Sequence, residues 1–338
     1  MTVSALIIGC SGQELTPQEI EFLHEYDPWG LILFQRNCQS PEQVRALVSS
    51  FRDIAGRCDA PVLIDQEGGR VQRMGPPHWR RYPAAGVFGD LFKNNRDNAR
   101  QATYLITRLM AEDLQTLGIS VDCLPVVDVP HRDADNIIGD RAYSNEPGIV
   151  AELAHLAATA LLDGGVLPVI KHIPGHGRAT VDSHIELPRV KTGAAKLREV
   201  DFAPFVELSQ LPLAMTAHVV YEAFDAKNPA TLSPVVIEDV IRGQVGFSGL
   251  IMSDDLSMKA LSGPLDHLTG SAIAAGCDVV LHCNGDLAEM RSIAANVPRL
   301  AGKPLARAKA ALKCLNYPQD YDRDHALFLH SRAIQNSL

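Results

Sequence analysis

No run of about 18 apolar residues occurs in the 338-residue chain, so the sequence offers no membrane span. Basic charge is not in excess either. Lys and Arg number 31 against 40 Asp and Glu, a formal net charge of −9. Nucleic acid and anionic membranes both demand a basic face, and the balance argues against either as a partner. No CxxC pair is present. The seven cysteines, at 10, 38, 58, 123, 277, 283 and 314, are odd in number and irregular in spacing. That pattern fits reduced thiols of a cytoplasmic protein better than a disulfide frame or a zinc knuckle. The opening stretch MTVSALIIGCSGQELTP lacks a basic n-region and a long apolar core, so it is expected to be mature protein rather than a signal peptide. Low-complexity segments and sequence repeats are also missing.

What remains is a chain with 46% hydrophobic and 21% charged residues, enough to bury a full core. Short apolar runs alternate with helical patterns. Strands are expected at 4–10, 30–35, 61–65, 119–129, 166–171, 213–218, 249–254 and 278–283. Helices between them open on capping signals such as Thr16-Pro17-Gln18-Glu19 and Ser40-Pro41-Glu42-Gln43. Uniformly apolar strands alternating with helices imply a parallel sheet covered on both faces. Eight such units, with no GxGxxG after an early strand, point to an α/β fold of the (β/α)8 barrel type as a single domain. The barrel is expected over 1–316, with a short C-terminal tail over 317–338.

The chain is organised around 169–186, VIKHIPGHGRATVDSHIE. A strand-like run gives way to a loop broken by Pro174, Gly175 and Gly177 and dense in Lys171, His172, His176, Arg178, Asp182 and His184. In a (β/α)8 barrel the chemistry collects at the C-terminal strand ends. Reading those ends gives Asp65, Asp128, Arg141, Lys171, His172, His218, Asp254, Asp255, His282 and Asn284. A lone Asp after a strand is most simply a helix cap, and a lone loop His is most simply solvated. Asp65, Lys171, His172 and Asp254 together are a better fit to a site. A carboxylate at the mouth of the seventh strand can act as a nucleophile or stabilise a cation. Asp182, two residues from His184, can orient an imidazole for acid/base work near neutrality.

The stretches KHIPGHG (171–177) and DSH (182–184) resemble the signature of family 3 glycoside hydrolases. More narrowly they resemble its single-domain bacterial β-N-acetylglucosaminidases of peptidoglycan recycling. IDQEGGRVQR (64–73), IIGDRAY (137–143), AMTAHVVY (214–221) and SDDLSM (253–258) extend the resemblance in order from about residue 5 to about 300. It implies an exo-acting, retaining enzyme with Asp254 as the nucleophile, His184 as the acid/base and Asp182 as its orienting partner. Asp65, Arg73, Arg141, Lys171 and His172 would hold the hydroxyls and N-acetyl group of the terminal sugar. The implied substrate is a muropeptide with terminal GlcNAc β-1,4-linked to (1,6-anhydro)MurNAc. No cofactor, metal, nucleic acid or membrane partner is implied, and a cytoplasmic monomer is expected. Ile173 stands where Phe is common in the family, and Thr216 where Pro is common. Neither change removes a group that the chemistry needs. Three alternatives stay open on the residues alone. One is a metal-dependent barrel hydrolase using His172, His176, His184, His218 and His282. The others are a Schiff-base enzyme using Lys171 and a non-catalytic amino-sugar-binding barrel.

Overall fold

A computed structural model describes residues 3–183 and 185–335. Eight parallel strands close into a barrel in which each pairs with the next in sequence and the last returns to the first. They are β1 (Ser4–Gly9), β2 (Pro28–Leu33), β3 (Val62–Ile64), β4 (Val121–Asp122), β5 (Leu167–Ile173), β6 (Leu213–Thr216), β7 (Leu250–Asp255) and β8 (Val279–His282). Helices wrap the outside, so the expected (β/α)8 architecture is the one found.

The strands read as continuous apolar runs because both of their faces are buried. Side chains alternate between two layers. Ala5, Ile7, Ile32, Leu63, Val169, Met215, Met252 and Leu281 fill the barrel interior. Their neighbours Leu6, Ile8, Leu31, Val62, Ile170, Ala214, Ile251 and Val280 pack outward against the helices. Burial at this density is worth roughly 1.5–3 kcal/mol for each large side chain, which is what holds the strand ends in place for chemistry.

Helix boundaries follow the capping chemistry. At Pro17–Tyr26, Thr16 Oγ1 accepts from Glu19 N and Glu19 Oε2 accepts from Thr16 N at 2.8 Å, a reciprocal cap. At Pro41–Ala55, Ser40 caps Gln43 N, but the Gln43 side chain accepts from Gln39 N instead of returning to Ser40.

Three stretches differ from expectation. The fourth strand shrinks to two residues, because Pro125 has no N–H to give and the chain on either side of it pairs irregularly with β5, through Val169 N to Leu124 O and Val127 N to Lys171 O. The long connection after β3, for which the sequence indicates no element, holds a hairpin, Gln66–Gly68 against Val71–Gln72, and a helix, Ala85–Asn94. The 317–338 stretch, expected as a tail, carries the helix Arg323–Gln335, which packs along Arg96–Gln115. There Ala326 is fully buried, Arg323 Nε is 3.0 Å from Glu112 Oε1, and the Arg108 guanidinium stacks 4.7 Å from the Tyr321 ring centroid. Among the described residues no helix is long and apolar enough to cross a membrane.

Candidate active site

The C-terminal strand ends surround a cavity of about 340 Å³ lined by Asp65, Glu67, Arg73, Arg141, Lys171, His172 and Asp254, among others. This volume lies near the lower end of the range for small-molecule sites, roughly 300–1,000 Å³.

Its floor is an ion-pair network assembled from the connections after β3 and β4 and from β5 itself. Asp65 follows β3 directly, and the hairpin then folds back over the barrel mouth. Gly68 makes that reversal possible: it adopts φ +87°, and a Cβ there would meet Pro83 O at 2.2 Å. Buried Gln66 fastens the returning strand, its Oε1 accepting from Arg73 N and Met74 N at 3.0 and 3.1 Å. Lys171, near the end of β5, places Nζ 2.8 Å from Asp65 Oδ1 and 2.5 Å from Glu67 Oε1. Arg73 closes on Asp65 Oδ2 at 2.8 Å. Arg141 grips Glu67 with two bonds of 2.8 and 2.9 Å, a bidentate pairing.

Electrostatics keeps all five groups charged. Burial pushes the Asp65 and Glu67 carboxyls up, but for Asp65 the cations Lys171 and Arg73, and for Glu67 the cations Lys171 and Arg141, outweigh it and hold both below their ordinary range. Burial pushes Lys171 down, yet the two carboxylates hold its ammonium above the ordinary lysine value. A lysine held so firmly protonated is a poor amine nucleophile, which removes the support for the Schiff-base reading.

Asp128 is a second hub. Fully buried, it accepts from His172 Nδ1 at 2.7 Å and from the backbone N–H of His172 and His176 at 3.2 and 2.6 Å. An ionised carboxylate accepts only, so Nδ1 of His172 carries a proton and Nε2 is the ring's remaining polar atom.

Asp254 sits at the end of β7 with Oδ1 accepting from Asp255 N at 2.8 Å. Burial raises its pKa, but His218, His172, that N–H and Lys171 together hold it below the ordinary carboxylate range, so it is ionised at neutral pH. A polar chain fixes the peptide that makes this bond. His218 Nε2 donates to Asp255 O at 3.0 Å, and Nδ1 lies 2.7 Å from Thr231 Oγ1, which lies 2.8 Å from Thr216 Oγ1. Thr216, one of the two departures from the family pattern, is thus absorbed as a hydrogen-bonding partner. Among the described residues, three histidines of the metal alternative have separate partners: His172 pairs with Asp128, His218 with Thr231 and Asp255, and His282 lies between Asp255 and Glu289 at 3.8 and 3.6 Å from different ring nitrogens.

The loop after β5 divides into two halves. From 172 to 180 it is tied down densely. Tyr221 Oη donates to Gly175 O at 2.7 Å, His131 N to Gly177 O at 2.8 Å, Asp135 N to Ala179 O at 2.8 Å and Arg178 Nε to Asp201 Oδ2 at 2.7 Å. Gly177 is required by contact, since a Cβ there would meet Val129 O at 1.9 Å. Beyond 180 the chain rises to the rim. Asp182 is half-buried and is not among the cavity-lining residues, and His184 lies outside the described residues. Between them, Ser183 is buried and lines the cavity.

Of the residues the sequence nominates, Asp65, Arg73, Arg141, Lys171, His172 and Asp254 converge on this one cavity. Glu67 was not nominated, although it is the partner of two of them. The signal available was a second carboxylate two residues after Asp65 in the IDQEGGRVQR block, just before the glycine turn.

His176 gives the site an acid limit. Burial, and the neighbouring His172 ring, push its imidazole down to about 4 against the opposing pull of Asp128 and Asp254. The unfolded chain, with an ordinary histidine near pH 6.5, takes up a proton there that the fold refuses. The contribution of neutral His176 is complete above about pH 6.5 and is lost progressively as pH falls toward 4, with His282 and His330, both also lowered, adding to it. Urea midpoints are expected to fall between pH 7.5 and pH 5. A flat profile across that window contradicts the burial argument.

Comparison with known proteins sets these features in a family. Residues 9–312 match the glycosyl hydrolase family 3 N-terminal domain. A β-hexosaminidase of Alkalilimnicola ehrlichii is 40% identical over 288 residues, covering 84% of this chain and 82% of its own length. One from Pseudomonas aeruginosa is 35% identical over 306 residues, covering 90% and 89%. NagZ from Neisseria gonorrhoeae, solved in complex with N-trifluoroacetyl-D-glucosamine, superimposes with a TM-score of 0.89 at 29% identity, covering 98% of both chains.

Proposed function

The chain belongs to glycosyl hydrolase family 3 and is an exo-acting β-N-acetylglucosaminidase, and from that premise we propose that it is a retaining enzyme with Asp254 as nucleophile and His184 as acid/base. The observation that carries this reading is an ionised Asp254 at the rim of a one-sugar cavity whose floor is a fixed array of charged donors and acceptors. Asp65, Arg73, Arg141, Lys171 and His172 bind the hydroxyls and N-acetyl group of the terminal sugar. Asp254 attacks C1 while His184, oriented by Asp182, protonates the departing oxygen. A covalent glycosyl ester forms with inversion. Water, deprotonated by His184, then attacks C1 with a second inversion, expelling Asp254 and restoring the β configuration.

The substrate is a muropeptide with terminal non-reducing GlcNAc β-1,4-linked to (1,6-anhydro)MurNAc, processed during peptidoglycan recycling by a cytoplasmic monomer. The size of the cavity supports exo action, since it suits one ring. A second hollow of about 620 Å³, sharing Arg70 with the first, supports a substrate that extends beyond one ring.

The direct test is mass spectrometry after incubation with a 2-acetamido-2-deoxy-5-fluoro glucosyl fluoride. A hexosamine adduct mapped to Asp254 establishes retention and the nucleophile together. An adduct elsewhere, or none alongside rapid turnover of aryl GlcNAc, overturns the assignment. For the acid/base, His184→Ala is expected to lower kcat/KM about 10²-fold on a GlcNAc disaccharide and far less on an activated aryl glycoside, whose leaving group needs little protonation. Equal losses on the two substrates would remove His184 from that role.

A further inference from the structure

The rim half of the β5 loop has one buried anchor. Among the described residues from 181 to 187, Ser183 alone is buried; Ile185 beside it is 71% exposed. Two different walls of the barrel mouth hold Ser183. Its Oγ lies 3.2 Å from His176 Nε2, in the firmly tied half of the same loop. Its carbonyl oxygen accepts from Ala260 N at 3.1 Å, in the segment that leaves Asp254 and Asp255 at the end of β7. A tight turn sits directly on this anchor, with Ile185 N and Glu186 N both donating to Asp182 O at 2.9 and 3.0 Å.

The anchor itself is built on a rigid base. His176 cannot drift, because its backbone N–H donates to Asp128, the same carboxylate that fixes His172. Its ring is buried and neutral, and Nδ1 has no hydrogen-bond partner among the described residues, so Ser183 is the ring's one polar contact there. The Ala260 segment is equally constrained, through Met258 N to Asp255 O at 3.1 Å. Ser183 therefore joins the wall that carries the proposed nucleophile to the loop that carries Asp182 and residue 184.

We infer that Ser183, clasped between His176 and Ala260, is the positioning residue that ties the loop carrying Asp182 and His184 to the wall that carries Asp254. This rests on the proposed roles of His184 and Asp254. Proton transfer to a departing oxygen needs hydrogen-bond reach, and a misplacement of about 1 Å costs on the order of a hundredfold. With the clasp broken, the turn is held at the carbonyl alone. Leaving-group protonation then suffers, while the sugar still rests on the ion-pair floor.

The test compares kcat/KM on a GlcNAc β-1,4 disaccharide and on 2,4-dinitrophenyl β-GlcNAc, with thermal melts of every variant. Ser183→Ala is expected to lose about tenfold to a hundredfold on the disaccharide and several times less on the aryl glycoside. Ser183→Thr keeps the hydroxyl and restores the wild-type ratio of the two substrates. His176→Phe keeps ring bulk and the Asp128 bond to its backbone but removes Nε2, so it reproduces the Ser183→Ala split from the other side of the bond. It also decides the matter if Ser183→Ala fails to fold. Equal losses on both substrates would make Ser183 a general structural or sugar-binding group and overturn the clasp. So would wild-type behaviour of both Ser183→Ala and His176→Phe while His184→Ala shows the leaving-group split, an outcome that leaves the proposed mechanism standing. Absence of the split in His184→Ala, with full wild-type turnover, brings down the mechanism and the clasp together.

Discussion

Asp254→Asn is expected to lower kcat/KM on the order of 10⁴-fold or more with the fold intact. Asparagine preserves shape and can still accept from Asp255 N, so the loss reports charge and nucleophilicity. The environment argues for so large an effect. His218, His172 and Lys171 hold this carboxylate ionised against the pull of burial, and the Thr216–Thr231–His218 chain fixes the Asp255 peptide that orients it. For an N-acetylated sugar there is a chemical rival: the substrate's own acetamido oxygen can attack C1, as in substrate-assisted glycosidases. The two routes separate cleanly. With Asp254→Ala and an activated aryl β-GlcNAc, azide in the vacated space attacks C1 once and gives the α-glycosyl azide with recovery of rate. A variant within tenfold of wild type, or one that azide does not rescue, would assign the attack to the acetamido oxygen and leave Asp254 a stabiliser of positive charge.

The legibility of this molecule in its sequence follows from where burial is uniform. The eight barrel strands are apolar on both faces, so they announce themselves without any alternation to decode. Where local chemistry competes with that pattern, the reading slips. Pro125 sits inside an apolar stretch and ends regular pairing there, so the expected strand over 119–129 reduces to Val121–Asp122. Gly68 and Gly69 look like plain loop, yet they form the turn of a hairpin that caps the barrel mouth. The helix Arg323–Gln335 buries Ala326 fully and only partly buries Leu327, Leu329 and Ala333 against the core, so its apolar face is narrow and its docking also draws on partners such as Glu112 that sequence spacing cannot reveal.

The site divides along the same line. Asp65, Lys171, His172 and Asp254 are visible because polar residues that follow apolar strands stand out. Glu67 is hidden because one Glu before two glycines reads as turn chemistry. Only the folded hairpin buries it against Lys171 and Arg141. Asp128 is visible as a strand-end carboxylate, but its work as a joint clamp on His172 and His176 is a property of three dimensions. Ser183, the middle residue of a motif singled out for its neighbours, is the clearest instance: its burial sets it apart from the residues around it, and burial is what a loop sequence does not encode.

Lys171→Met carries the second large expectation, and its signature is a pH dependence of opposite sign to that of the wild type. Lys171 is the shared partner of Asp65 and Glu67. Its removal leaves each carboxylate with a single arginine and brings two like charges together in a buried site. Breaking such a pairing costs about 3–5 kcal/mol, mostly as charge left uncompensated. In the wild type both carboxylates are held below their unfolded values. Their contribution is therefore present above the unfolded carboxylate range and is lost as pH falls through the lowered native values. Without the ammonium, burial and mutual repulsion raise the native values above the unfolded ones. The fold then binds a proton more readily than the unfolded chain, and acid restores stability instead of removing it. The gap between wild type and variant in urea unfolding should be widest near pH 8 and should narrow toward pH 5. Turnover should drop about 10²–10³-fold, because the donor proposed for the substrate is gone and the two carboxylates it aligned relax. A gap constant with pH would show that Lys171 acts through packing of its alkyl stem, and that the arginines alone keep Asp65 and Glu67 ionised.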